Sequence, residues 1–126
     1  MSNESLPELF NEYSCPVASF QQAISGKYKL RILWDLRNGP LRYGEIKKSL
    51  SAGIPSSKEI APRVLSRELK TLTNLGWIKR KEYAVVPPKV EYRLTNIGQS
   101  LLPLISDLHE WGNTYLVGES SLSTKP

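Results

Sequence analysis

The chain has 126 residues, 40% of them hydrophobic and 23% charged, which is ordinary for a globular protein and long enough for one domain with its own core. With one cysteine and one histidine, it can build neither an internal disulfide framework nor a structural zinc site, which takes about four ligands. No apolar run reaches transmembrane length and no charged-then-apolar leader opens the chain, so the expectation is a cytoplasmic protein with no membrane partner.

The formal net charge of +5 is unevenly placed. Residues 1–26 hold three acids and no Lys or Arg, residues 27–93 hold sixteen Lys and Arg against six acids, and residues 94–126 hold one Lys against three acids. A positive field confined to the middle of a chain implies a polyanionic partner, and nucleic acid is the first candidate.

Residues 1–14 read as a polar, acidic tail with Leu6, Leu9 and Phe10 as isolated docking points. Proline favours the first helical position, so Cys15 stands just outside a helix from about Pro16 to Ser25, with Val17, Phe20 and Ile24 as its apolar face. A second helix, Tyr28 to Arg37, is apolar around much of its circumference and belongs in the core. Asn38-Gly39-Pro40 stops it. Leu41 begins a very short strand, and Arg42 to Leu50 forms a third helix with Tyr43, Ile46 and Leu50 inward and Lys47 and Lys48 outward.

Residues 51–60 form a Ser-, Gly- and Pro-rich connection that Ile54 and Ile60 can anchor. The following stretch, Ala61 to Gly76, organises the rest. Leu65, Leu69 and Leu72 fall at i, i+4 and i+7 and draw one apolar stripe, while Arg63, Ser66, Arg67 and Lys70 share another face. Gly76 ends this helix. A helix, a connection and a helix with an exposed basic face make a helix-turn-helix.

Residues 77–84 read as a strand, Val85-Val86-Pro87-Pro88 as a tip that cannot be paired, and Lys89 to Leu94 as the returning strand, with Val90, Tyr92 and Leu94 alternating against Lys89, Glu91 and Arg93. A hairpin after a helix-turn-helix is a wing. Its Lys79, Arg80, Lys81 and Lys89 can reach phosphates or a minor groove, and each reads equally well as a solvated strand face. Thr95 can cap the last helical region, where Ile97, Leu101, Leu104, Ile105, Leu108, Trp111 and Tyr115 recur at three- and four-residue steps, with Pro103 set to kink or split the helix. A stripe this long exceeds what a small core needs. It is expected to pair, with the first helix, against a second subunit; internal packing is the alternative. The expected fold is therefore mainly α with a small β-hairpin, a winged helix-turn-helix dimerised through N- and C-terminal helices, spanning residues 15–116 between tails at 1–14 and 117–126.

The sequence resembles the HxlR-type winged helix-turn-helix regulators, relatives of the MarR group. The resemblance is carried by Cys15-Pro16, Gly26-Lys27-Tyr28, Gly39-Pro40-Leu41-Arg42-Tyr43, Val64 to Lys70, Gly76-Trp77-Ile78, and above all Val86-Pro87-Pro88-Lys89-Val90-Glu91-Tyr92-Arg93-Leu94-Thr95, with Gly98 and Trp111 beyond. It implies a homodimeric DNA-binding transcription regulator, often a repressor, acting on a pseudo-palindromic operator. Some members have a cysteine near the position of Cys15 that senses oxidants or electrophiles.

In such a dimer the two basic helices enter successive major grooves about 34 Å apart. Arg63, Ser66 and Arg67, on the exposed face near the helix start, are the candidates for base contact, since arginine can bond guanine bidentately. Lys47, Lys58, Lys70 and Lys89 are the candidates for phosphate contact, which sets register without reading sequence. At a helix start Cys15 gains thiolate character, opposed by the acidic tail. It reads either as a redox sensor or as a small side chain without a signalling role. No glycine-rich phosphate loop or metal cluster is present, and His109 beside Glu110 is a helical surface or interface pair, so neither an enzyme nor a cofactor is expected. The rival class, a winged helix serving as a protein-interaction module, predicts an apolar or acidic exposed face where this chain has a basic one.

Overall fold

In a computed structural model the described residues are 15–53 and 59–117. Residues 1–14, with Leu6, Leu9 and Phe10, residues 118–126 of the expected C-terminal tail, and the connection residues Ile54 and Lys58 lie outside them. The elements in chain order are α1 (Pro16–Ala23), α2 (Lys29–Asp35) with a 3-10 turn at Leu36–Asn38, β1 (Leu41–Arg42), α3 (Tyr43–Gly53), α4 (Pro62–Asn74), β2 (Ile78–Tyr83), β3 (Lys89–Leu94), α5 (Asn96–Ser100) and α6 (Leu102–Gly112), followed by a π turn at Asn113–Val117.

The core forms where the stripes of the three central helices meet. Ile32, Leu33 and Leu36 from α2 and its turn, Ile46 and Leu50 from α3, and Leu65, Leu69 and Leu72 from α4 are all buried. Ile60 is buried too and anchors the connection ahead of α4. β2 and β3 run antiparallel from Ile78 opposite Leu94 to Tyr83 opposite Lys89. The expected hairpin is in fact part of a three-stranded sheet, because β1 adds to β3 through Leu41 opposite Tyr92 and Arg42 opposite Glu91. This pairing ties the stop after α2 to the base of the wing.

Two expected helices end early. α1 closes at Ala23 rather than Ser25, and α2 gives way after Asp35 to the 3-10 turn. Val17, expected to face inward, is 75% exposed. The inward face of α1 is instead Ser19 and Ala23, with Phe20 stacked on Trp77 at 6.3 Å between ring centroids.

A polar node holds the wing base to the last helices. Thr95 Oγ1 donates to the Gly76 carbonyl at 2.6 Å and accepts from the Gly98 N–H at 3.1 Å, while Thr95 N–H donates to the Trp77 carbonyl at 3.1 Å. Thr95 is thus the cap of α5 and also the rivet between the end of α4 and the start of α5. Gly98 is required because a Cβ there would collide with the Trp77 carbonyl oxygen. The helix breaks at Leu101, and α6 starts around Pro103, as that residue's missing N–H dictates. Of the expected stripe, Ile105 is buried and Leu101 is packed on the core. Leu104, Leu108 and Trp111 are 63%, 49% and 52% exposed, and Ile97 and Tyr115 also face outward. Internal packing therefore accounts for only a small part of the stripe. No described helix is long and apolar enough to cross a membrane.

Candidate nucleic-acid interface

α4 begins with Pro62 at its first position, after Ala61 in extended conformation. Its far end is closed by Gly76, whose φ of 81° lies in the left-handed region that glycine adopts without steric cost. There the Gly76 N–H donates to the Thr73 carbonyl at 3.0 Å and the Trp77 N–H to the Leu72 carbonyl at 3.1 Å, so the last carbonyls of the helix are satisfied. With Leu65, Leu69 and Leu72 packed behind, Arg63, Ser66, Arg67 and Lys70 are all exposed on the outward face.

Two further contacts fix how α4 is presented. The Tyr43 hydroxyl on α3 donates to the Pro62 carbonyl at 3.1 Å. Midway along, Glu68 is buried, and its Oε1 lies 2.6 Å from Lys29 Nζ at the start of α2. Lys29 Nζ also donates to the Ser25 carbonyl at 2.7 Å. This buried ion pair was not among the expected features. Its signal in the sequence is that Glu68 falls three residues after Leu65, inside the apolar arc, where a carboxylate needs a partner. The partner could not be identified from spacing, because Lys29 is 39 residues away and on another helix.

The candidate phosphate contacts divide. Lys70 is exposed and adjoins the candidate base-contact residues on the outward face of α4. Lys47, itself partly covered, lies 3.6 Å from the exposed Glu59 across the connection, and a pair with one partner in solvent is weakly held. Lys89 turns onto the sheet, with Nζ 3.5 Å from Glu91 and 4.6 Å from the Tyr83 ring centroid. The Tyr83 hydroxyl donates to Glu91 at 2.8 Å, which holds the Glu91 carboxyl below its ordinary pKa. Glu91 is consequently a more structured residue than a solvated strand face implies. On the wing, Lys79, Arg80 and Lys81 are exposed, though Arg80 pairs with Glu82. At the tip, Val86 is almost wholly exposed.

Cys15 is exposed and lies just before α1, in extended backbone. The N–H groups of Ala18 and then Val17, which have no carbonyl partner within the first turn, hold its thiol below the ordinary value.

An outward basic helix, backed by a leucine core and followed by a wing, defines the winged helix-turn-helix class. Residues 23–120 match the family model described as HxlR-like helix-turn-helix. The chain belongs to that family and is a transcriptional regulator of the helix-turn-helix type. It is 39% identical over 105 residues to an HTH-type transcriptional regulator of Methanothermobacter thermautotrophicus, covering 83% of this chain and 75% of the relative. To the HTH-type transcriptional regulator YkvN of Bacillus subtilis it is 38% identical over 104 residues, 82% of each chain. Among solved structures, a MarR-family regulator from Porphyromonas gingivalis W83 superposes with a TM-score of 0.72 at 38% identity, covering 84% of this chain and 97% of the other. The redox regulator HypR in its oxidised form superposes with a TM-score of 0.68 at 35% identity, covering 79% and 95%.

Proposed function

We propose that this regulator is a homodimeric repressor that reads a pseudo-palindromic operator with Arg63, Ser66 and Arg67 and is controlled through Cys15. The observation that carries the reading is the outward face of α4. Two guanidinium groups, a hydroxyl and an ammonium are exposed together on a helix whose opposite side is sealed by Leu65, Leu69 and Leu72. The major groove admits a helix and offers acceptors to such donors. Lys47, Lys58, Lys70 and Lys89 serve as phosphate contacts, with Lys47 and Lys89 exchanging a surface carboxylate for a phosphate. Dimerisation is supported by the outward row Leu104, Leu108 and Trp111 on α6, an apolar surface that a second copy of the helix would cover.

Control through Cys15 is supported by its exposure, by the lowered thiol pKa, and by the likeness to a redox regulator. Cys15 precedes the segment that matches the family model, so its role rests on the geometry at the start of α1. A peroxide would join two Cys15 sulfurs of the dimer as a disulfide, each thiol giving up its proton and the peroxide being reduced to water. An electrophile would instead leave an alkylated adduct.

Selection of bound duplexes from a random pool, run with reduced and with peroxide-treated protein, tests the whole reading. The expected result is a two-fold symmetric motif with half-sites about one helical turn apart, enriched by only one of the two preparations, and a reporter under that motif silenced by the protein. Enrichment without symmetry would refute the dimeric reading, and identical enrichment by both preparations would refute the role of Cys15.

A further inference from the structure

We propose that the face of the sheet turned away from α4 is a second DNA surface, which holds the phosphate backbone of duplex lying outside the stretch that the two α4 helices read. The inference rests on the DNA reading above and extends it to residues which that reading leaves without a role.

Paired residues of neighbouring strands point to the same face of a sheet, and successive residues of one strand to opposite faces. One face here carries Ile78 and Leu94, both buried, with Arg80 and Tyr92, which line a notch against Leu69, Lys70, Thr73 and Asn74 of α4. The reverse face carries Lys79 opposite Arg93, Lys81 opposite Glu91 and Tyr83 opposite Lys89, with Arg42 of β1 on the other side of Glu91. Arg42, Lys79, Lys81, Lys89 and Arg93 thus share this face with a single carboxylate. Glu91 is committed to Lys89 at 3.5 Å and to the Tyr83 hydroxyl at 2.8 Å, and Arg93 acts on it as well. Arg42, Lys79 and Lys81 are exposed, and among the described residues no carboxylate forms an ion pair with them. Glu45 of α3 accepts from the Arg42 N–H at 2.8 Å without pairing to its guanidinium. Like charges directly opposed, as Lys79 and Arg93 are, destabilise a sheet, and a polyanion on this face would relieve them.

Two features select duplex phosphate as the partner. Tyr83, the aromatic ring on this face, has the Lys81 ammonium 4.9 Å and the Lys89 ammonium 4.6 Å from its centroid. It is therefore not a free platform for the base stacking that binds single strands. The tip of the wing, Val85-Val86-Pro87-Pro88, carries no cation, although a narrow minor groove attracts Arg and Lys. The positive charge lies across the breadth of the sheet, where it meets a backbone, and not at the point that would enter a groove. A duplex seated on α4 also brings its own flanks to the wing at high effective concentration.

The test is a salt series of full-chain binding to random-sequence duplexes of about two and about four helical turns, the shorter just long enough for two helices one turn apart, and to a single strand as long as the longer duplex. On the longer duplex R42Q, K79Q and K81Q should each flatten the dependence of log affinity on log salt by about 0.9, one phosphate contact apiece. The triple variant should flatten it by about three times that, with thermal unfolding unchanged. On the shorter duplex the triple variant should show only a minor part of this loss. K27Q, which removes a cation off the sheet, should leave the slope as it is, and the single strand should bind more weakly than duplex of equal length. The proposal is overturned if the triple variant binds the longer duplex as the unsubstituted chain does, or if it loses equally on both duplexes, which would place these cations within the stretch read by α4. It is also overturned if K27Q matches the three sheet variants, which would leave only net charge, or if the single strand binds as tightly as duplex and loses as much in the triple variant. Random duplex carries no operator, so a failed search for a symmetric motif leaves these results readable, and their failure leaves base reading by α4 untouched.

Discussion

Arg67 and Lys89 carry the same charge but face different demands. Arg67 is exposed on a helix anchored from behind, whereas Lys89 is drawn onto Glu91 and the Tyr83 ring at the wing. Arg67→Ala should relax preference at one operator position by about 1–3 kcal/mol. Lys89→Ala should weaken all duplexes alike and flatten the salt dependence by about one charge. Quantitative binding to the operator, to single-base variants and to random duplex over a salt series separates the two, and equal losses on operator and random DNA for Arg67→Ala would remove its base-reading role. At Cys15 the first-turn N–H groups favour the thiolate. The pH midpoint of its alkylation by iodoacetamide should accordingly lie below that of a simple cysteine peptide. Cys15→Ser should bind operator identically before and after peroxide, and a peroxide response that survives in Cys15→Ser would place the sensor elsewhere.

At the scale of elements, the orientation of α4 depends on contacts made away from its exposed basic face. Lys29 and Glu68 are both buried, and removing one partner of such a pair leaves an uncompensated charge at a cost of about 3–5 kcal/mol. Lys29→Met should lower the denaturant midpoint accordingly. Lys29→Met with Glu68→Leu should recover most of the stability, since apolar replacement of a whole buried pair is often neutral or better. It should still discriminate operator poorly, because the specific tie between α2 and α4 is gone; full stability with full discrimination would show the pair to be a dispensable anchor. The second node is Thr95 with Gly76, Trp77 and Gly98. Gly98→Ala forces a methyl group against the Trp77 carbonyl and should destabilise by about 1–3 kcal/mol, the usual cost of overpacking, read as a lower thermal midpoint.

For the whole molecule, the outward row on α6 predicts association. Leu108 is half exposed in the single chain, so Leu108→Glu should leave the fold of one chain intact. It should shift sedimentation to the mass of a monomer and reduce operator affinity sharply, because two linked recognition helices lose their shared effective concentration. A Leu108→Glu protein that remains dimeric by sedimentation would move the interface off this face.

The sequence alone determined which residues of the central helices α3 and α4 face inward, because periodicity is a local property. Leu65, Leu69 and Leu72 on α4, and Ile46 and Leu50 on α3, follow directly from 3.6-residue spacing and are buried. The stops at Asn38-Gly39-Pro40 and Gly76, the wing with its unpaired proline tip, and the break near Pro103 follow from backbone chemistry of single residues. The exposure of Arg63, Ser66, Arg67 and Lys70 was legible for the same reason. Only the tertiary structure decided the pairing of β1 with β3, the burial of Lys29 against Glu68 and the riveting of Thr95 to Gly76. Each of these joins residues far apart in the chain. Local spacing specifies the direction in which a side chain points from its own element, and the partner it meets is fixed when the elements pack.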